Sequence, residues 1–274
     1  MCGTCGCGTT ENRRAAHGPG HDRAHRHNHD HAHGHTHRLD ASDALAGKAP
    51  QKSGSSRLIQ VEQALLAENN RHATHNRALL NRKHTHAFNF ISSPGAGKTT
   101  LLEKTLTALR ARSVGCAVIE GDQATDLDAQ RIARTGVPVV QIETGRSCHL
   151  DADQVHLALH RLDVPEGGLL FIENVGNLIC PTEFRLGEHE RVTIVSVPEG
   201  HDKAAKYPLA FRNASVVVIS KMDLLPYVDF DLVEARRLIT GLNPKAPIFE
   251  VSATTGDGMD EWFSWLRHRM PAAA

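Results

Sequence analysis

The sequence predicts an α/β fold, a mostly parallel sheet with helices on both faces. Two observations carry the prediction. From Ala87 onward short apolar runs alternate with helical segments, the pattern of a parallel sheet covered on both sides. The first of these runs, Phe88-Asn89-Phe90-Ile91, leads straight into a glycine loop and then a helix from Leu101 to Arg112.

Taken in order, residues 1 to 55 contain almost no large apolar side chains, and nine of the nineteen histidines fall between His17 and His37. Such a segment cannot bury enough surface to offset its ordering entropy, so it is expected to be a disordered leader when metal-free. Its last part, Ala41 to Ser55, reads as a flexible linker. In the segment 56–83, Leu58, Ile59, Val61, Leu65, Leu66, Leu79 and Leu80 give helical periodicity. One long helix is expected there, with Ser56 as its N-cap and a candidate break at Asn69 and Asn70. The strands are expected at Ala87–Ile91, Cys116–Glu120, Val137–Ile142, Leu169–Glu173, Val192–Val197, Val216–Ser220 and Ile248–Val251. Residues 84–270 thus form one domain of about 185 residues, a size that supports a full core. No internal repeat is visible.

Bulk composition limits the function classes. Lys plus Arg and Asp plus Glu both total 31, so no excess of basic charge points to nucleic acid or an anionic membrane. Three of the six cysteines crowd into residues 2 to 7, too close together to pair with normal disulfide geometry. A reduced, metal-binding use fits better. No stretch approaches the roughly 18 apolar residues of a membrane span, and no secretory apolar core is present. A cytoplasmic protein with neither a nucleic-acid partner nor membrane insertion is expected.

Between the first strand and helix lie Ser92, Ser93, Pro94, Gly95, Ala96, Gly97, Lys98, Thr99 and Thr100. Strand, glycine loop and helix in this order make a P-loop: backbone N–H groups and the helix N-terminus form an anion site, Lys98 neutralises terminal phosphates, and Thr99 ligates magnesium. Ser92 stands where the usual pattern has its first glycine. Asp122 and Glu173, at strand ends that face the ligand crevice of an open α/β sheet, are candidates for the magnesium shell and for sensing the γ-phosphate. Base choice rests on Ser220-Lys221-Met222-Asp223, because a fixed carboxylate such as Asp223 can accept from guanine N1 and its 2-amino group while adenine offers no such pair. Ser220 occupies the position of the usual asparagine. Ser252-Ala253, just past the last strand, resembles a further base-contacting loop.

Metal ligands are concentrated in two places. Cys2, Cys5 and Cys7 bring three thiolates within six residues, enough to occupy one ion's coordination sphere. With an amine or amide as fourth donor the arrangement would be planar and suit Ni(II) better than Zn(II). Histidines 25, 27, 29, 31, 33, 35 and 37 (His25, His27, His29, His31, His33, His35, His37) alternate with other residues, which implies capacity rather than one defined site. Inside the domain, Cys148 and His149 follow the third strand and Cys180 lies seven residues past Glu173, so a second site for zinc or nickel is expected beside the nucleotide. Cys116, in a strand, reads as a small apolar residue.

The Cys2, Cys5, Cys7 leader, the histidine tract and residues 92–100 together resemble the hydrogenase-maturation nickel-incorporation GTPases, the HypB family. Further matching segments are Glu120-Gly121-Asp122-Gln123, Cys148 to Ala152, Glu173 to Pro181, Glu199-Gly200-His201-Asp202-Lys203, Lys206-Tyr207-Pro208 and Lys221 to Pro226. The resemblance implies a GTPase of the signal-recognition/MinD-type class that uses GTP and Mg2+, dimerises with nucleotide, and handles Ni2+ or Zn2+. It also implies a HypA-type nickel chaperone as partner and the [NiFe]-hydrogenase large-subunit precursor as recipient. Two other readings stand beside it, a GTPase serving another metalloenzyme such as urease and a nickel store with a vestigial nucleotide domain. The Cys-Pro-His motif of a urease accessory protein is absent, and an intact Lys98, Thr99 and Asp223 argue against a vestigial domain.

Overall fold

The computed structural model describes residues 53–123 and 125–270. Cys2, Cys5, Cys7 and the histidine tract lie outside the described residues. No described helix is long and apolar enough to cross a membrane.

Helix α1 runs Ser53–Arg82. It begins inside the stretch read as linker and carries Ser56 in its interior, so Ser56 is not its N-cap. Nor does it break at Asn69 and Asn70. Asn69 is buried and used: its Nδ2 donates to Arg185 O at 2.8 Å and its Oδ1 accepts from Ala152 N at 2.8 Å. Two turns on, Asn76 Nδ2 donates to Ala152 O and Leu186 O. Tertiary hydrogen bonds thus override the local helix-breaking tendency of asparagine, and the helix is bolted to the body of the domain by amides.

Among the described residues seven strands follow, β1 His86–Ser92, β2 Cys116–Asp122, β3 Val139–Glu143, β4 Leu169–Glu173, β5 Glu190–Ser196, β6 Val216–Ser220 and β7 Ile248–Glu250. They form one sheet in the order β3-β2-β4-β1-β5-β6-β7, every pair parallel. Between them lie α2 Lys98–Arg110, α3 Leu127–Ala133, α4 Ala152–Arg161, the single turn α5 Cys180–Glu183, α6 Lys203–Lys206, α7 Pro208–Arg212 and α8 Leu232–Leu242, with α9 Met259–Arg267 last. Both faces of the sheet are covered, which is why its strands read as continuous apolar runs.

Side-chain alternation along β1 divides the core. Phe88 and Phe90 join Leu101, Leu106, Trp262 and Leu266 on the face covered by α2 and α9. On the other face Ala87 packs with Leu80, Val155 and Leu159 of α1 and α4, and Ile91 with Phe211 and Ile239 of α7 and α8. Burying each large side chain contributes roughly 1.5–3 kcal/mol. The one polar atom of Trp262 is satisfied, Nε1 donating to Thr105 Oγ1 at 2.9 Å. Cys116 is buried and its thiol is pushed up to about 12 by desolvation, in keeping with an apolar role. The carboxyl ends of β1, β2, β4 and β6 open together at one edge, where the site is built.

Candidate nucleotide and metal site

The phosphate loop leaves β1 at Ser92 and enters α2 at Lys98. Gly95 and Gly97 have φ of 73° and 93°, in the left-handed region that the tight wrap requires. Gly97 is the N-cap residue, so α2 begins at Lys98, three residues earlier than the periodicity suggested. Lys98 Nζ donates to Ser92 Oγ at 3.1 Å, and Thr99 Oγ1 donates to Glu173 Oε1 at 2.7 Å. The serine at the first-glycine position therefore holds the lysine. Lys203 Nζ lies 3.3 Å from Ser93 Oγ and 3.2 Å from Glu199 Oε1, and Glu199 Oε2 accepts from Ser196 N and Oγ, so the 199–203 segment braces the loop from the β5 side.

The loop borders a cavity of about 540 Å³ whose walls include Lys98, Thr99, Glu120, Asp122, Asp128, Arg131, Cys148, Glu173 and Gly176. Glu120 and Glu173 sit opposite each other in register on β2 and β4, both almost fully buried. Burial, then the Glu173 and Asp122 charges, pushes the Glu120 carboxyl up to about 8. Burial raises Glu173 to about 7 against the opposing pull of Lys98 and Thr99. One oxygen of each, Oε2, has no hydrogen-bond partner. Two buried carboxylates with free oxygens beside a threonine hydroxyl are a hard-cation donor set. Asp122 is less buried and its oxygens accept from Gln123 N at 2.5 Å and Thr125 Oγ1 at 2.6 Å. In the sequence Glu120 falls in a matching segment but has no role of its own assigned; a carboxylate directly after the apolar Val118-Ile119 is the available signal. Arg131, which donates to Thr100 Oγ1 at 3.0 Å and pairs with Asp128 and Glu103, was likewise unread.

A second cavity, about 260 Å³, adjoins the first through Gly97, Thr100 and Lys221 and is lined by Asp223, Ala253 and Ser220. Ser252 Oγ donates to Asp223 Oδ1 at 2.6 Å, which fixes the carboxylate and leaves its other oxygen toward hydrogen-bonding partners. Lys221 Nζ donates to Gly95 O at 2.7 Å. Ser220 is buried, and its hydroxyl donates to Ala96 O at 2.6 Å. Its role is to tie the end of β6 to the phosphate loop.

Cys148, His149 and Cys180 converge: one donor atom from each lies within 4.8 Å of the others. Cys148 and His149 follow β3, and Cys180 opens α5 beyond β4. The turn carrying Cys180 is clamped by Arg191 of β5, whose Nη1 donates to Thr182 O at 2.6 Å and Nη2 to Phe184 O at 3.2 Å. Phe184 in turn packs on the His149 ring, centroids 4.0 Å apart. Burial lowers the His149 pKa, favouring the neutral ligand form. Asn174, directly after Glu173, connects this group to the nucleotide side. Its Oδ1 accepts from Leu150 N at 3.1 Å and Val175 N at 3.0 Å, and its Nδ2 donates to Asn89 Oδ1 at 3.2 Å. A side chain on Gly176 would meet Pro94 Cα at 2.9 Å, so the same segment also rests on the phosphate loop.

The family model described as CobW/HypB/UreG, nucleotide-binding domain, matches residues 87–250. Hydrogenase maturation factor HypB of Azotobacter vinelandii is 44% identical over 281 residues, spanning 98% of this chain and 92% of that protein. This chain belongs to the HypB family of hydrogenase maturation factors. The crystal structure of the HypB protein of Archaeoglobus fulgidus has a TM-score of 0.69 and 40% identity, covering 75% of this chain and 100% of that one. That of HypB from Helicobacter pylori, solved in complex with nickel, has a TM-score of 0.69 and 34% identity over 76% and 99% of the two chains.

Proposed function

We propose that this chain is a GTP-hydrolysing nickel metallochaperone that stores nickel and assists its insertion into the [NiFe]-hydrogenase large-subunit precursor. The observation that carries the reading is the shared wall of the two sites: Cys148 lines the cavity that also holds Lys98, Thr99 and Glu173. The nickel complex of the Helicobacter pylori relative supports nickel as cargo.

In this reading Lys98 neutralises the β- and γ-phosphates, and the backbone N–H groups from Ser93 to Thr100 (Ser93, Gly95, Ala96, Gly97, Lys98, Thr99 and Thr100), with Pro94 shaping the turn, cradle them. Thr99, with Glu173, Glu120 and Asp122 around it, would hold Mg2+, which supplies positive charge to the transferring phosphoryl group. The Asp223 oxygen not engaged by Ser252 accepts from guanine, and Lys221 and Ala253 complete that pocket. Nickel or Zn2+ is carried by Cys148, His149 and Cys180. Three donors leave a coordination position for a second copy of the chain in a GTP-dependent homodimer, or for a HypA-type partner. Cys2, Cys5, Cys7 and the histidine tract add storage. The setting is the cytoplasm, where thiols stay reduced.

The test measures GTP hydrolysis and nickel stoichiometry on one purified sample. The reading expects Mg2+-dependent hydrolysis that Lys98→Ala abolishes, together with bound nickel. Nickel binding without hydrolysis would favour a store with an inactive nucleotide domain.

A further inference from the structure

On the side of the domain formed by α1 and α4, away from the phosphate loop, a second group of nitrogen donors comes together. His156 and His160 are one turn apart on α4, so their rings stand on the same helix face. Their Nε2 atoms are 3.2 Å apart. Two imidazole nitrogens bound to one ion at about 2.0–2.1 Å, in neighbouring coordination positions, are separated by about 3.0–3.4 Å.

The tautomer of His156 is fixed from behind. Asn76 Nδ2 donates to Ala152 O at 2.8 Å and to Leu186 O at 2.9 Å, which turns its Oδ1 toward His156 Nδ1 at 2.9 Å. His156 Nδ1 therefore carries the proton and Nε2 presents its lone pair outward. A buried amide oxygen on the far nitrogen is the outer-shell arrangement that orients metal-binding histidines. His72 of α1 stands beside this pair, its ring centroid 6.3 Å from that of His156 and its Nδ1 3.4 Å from Asp153 Oδ1.

We propose that His156 and His160 form a divalent transition-metal site, separate from the Cys148, His149 and Cys180 group, with His72 standing beside it and water completing the sphere. Neutral imidazoles suit nickel or zinc rather than magnesium or calcium. In the metal-free chain His160 Nε2–H donates to His156 Nε2. Binding moves the His160 proton to its own Nδ1, so no net charge changes on the protein. His160 is exposed, so an incoming ion needs no rearrangement of the core.

The test uses the full chain with Cys2, Cys5, Cys7, Cys148 and Cys180 changed to Ser, and with His149 and the nine histidines from 17 to 37 changed to Asn. GDP binding serves as the check that it folds. Titration with Ni2+ alone should show one remaining ion per chain. Because losing even an outer-shell partner costs roughly 10–100-fold in affinity, His160→Ala should weaken binding at least tenfold. His72→Ala should cost less. His160 makes no contact in the core, and His156→Ala provides a second variant with the same expected loss. Paramagnetic Ni2+ should broaden the ring protons of His156 and His160 before those of any other histidine. Absence of a remaining site, unchanged affinity in His160→Ala, or first broadening elsewhere would overturn the proposal.

Discussion

Replacing Glu120 by Gln should remove a pH-dependent instability built into the nucleotide cavity. The carboxyl is buried beside Glu173 and rises from 4.5 to about 8, so the folded chain holds a proton there that the unfolded chain has released. Between pH 4.5 and about 8 the folded state thus binds more protons, and stability falls as pH rises through this window. Each pH unit costs about 1.36 kcal/mol, so the step from pH 5.5 to 8 costs about 3 kcal/mol. In a domain of this size that is roughly 6–12 °C in Tm. Gln copies the shape of the neutral acid and cannot ionise, so the variant should lack this fall. The assay is thermal unfolding of wild type and Glu120→Gln at both pH values, without nucleotide or divalent cation. Titrating groups that do not interact with Glu120 contribute equally to both proteins and cancel in the comparison, and Glu173, its neighbour, is the one group whose titration the substitution also changes. Adding Mg2+ and GDP should then stabilise wild type more than the variant at pH 8, because the cation compensates the charge. An unchanged gap between the two proteins at pH 5.5 and 8 would refute the argument.

Three further outcomes are expected. In Asp223→Asn, Ser252 should keep its bond to the side-chain oxygen and leave an amide N–H facing the base; GTP affinity should fall about 10–100-fold while xanthosine triphosphate binding improves, measured by competition. Unaltered base preference would mean that guanine is read by other residues. Gly176→Ala forces a Cβ to 2.9 Å from Pro94 Cα, backbone that cannot give easily, and should weaken nucleotide binding by about 1–3 kcal/mol in equilibrium titration. In a chain whose Cys148 and Cys180 are already Ser, changing Cys2, Cys5 and Cys7 to Ser should abolish thiolate-to-nickel charge-transfer absorption while weaker ions remain on the histidines; an unchanged band after their replacement would exclude a three-thiolate leader site.

Much of this molecule is legible in its sequence because parallel strands buried on both faces read as unbroken apolar runs. Val216 to Ser220 and Leu169 to Glu173 coincide with β6 and β4 at both ends. The Cys148, His149 and Cys180 group was legible too, since both segments follow such runs and strand ends converge. Asn69 and Asn76 were not, because asparagine signals a break locally and only distant carbonyls at 152, 185 and 186 make it a clamp. Glu120 was obscured for a related reason: its partner, Glu173, is 53 residues away and becomes its neighbour only through the β2–β4 register. Asn174 lies inside a recognised motif, but its bond to Leu150, across to the loop of Cys148 and His149, depends on the same strand neighbours.

If Cys148, His149 and Cys180 carry nickel as proposed, nucleotide state and metal binding should be coupled, because Asn174 and Gly176 touch both sides. The most direct measurement is nickel titration of a chain lacking Cys2, Cys5, Cys7 and the histidine tract, first saturated with GDP and then with a non-hydrolysable GTP analogue. A coupling of roughly 1–3 kcal/mol would appear as about a 5- to 150-fold difference in nickel affinity, with the reciprocal effect on nucleotide affinity. Equal nickel affinities in the two states, or a nucleotide-dependent nickel affinity that survives replacement of Cys148, His149 and Cys180 together, would contradict it.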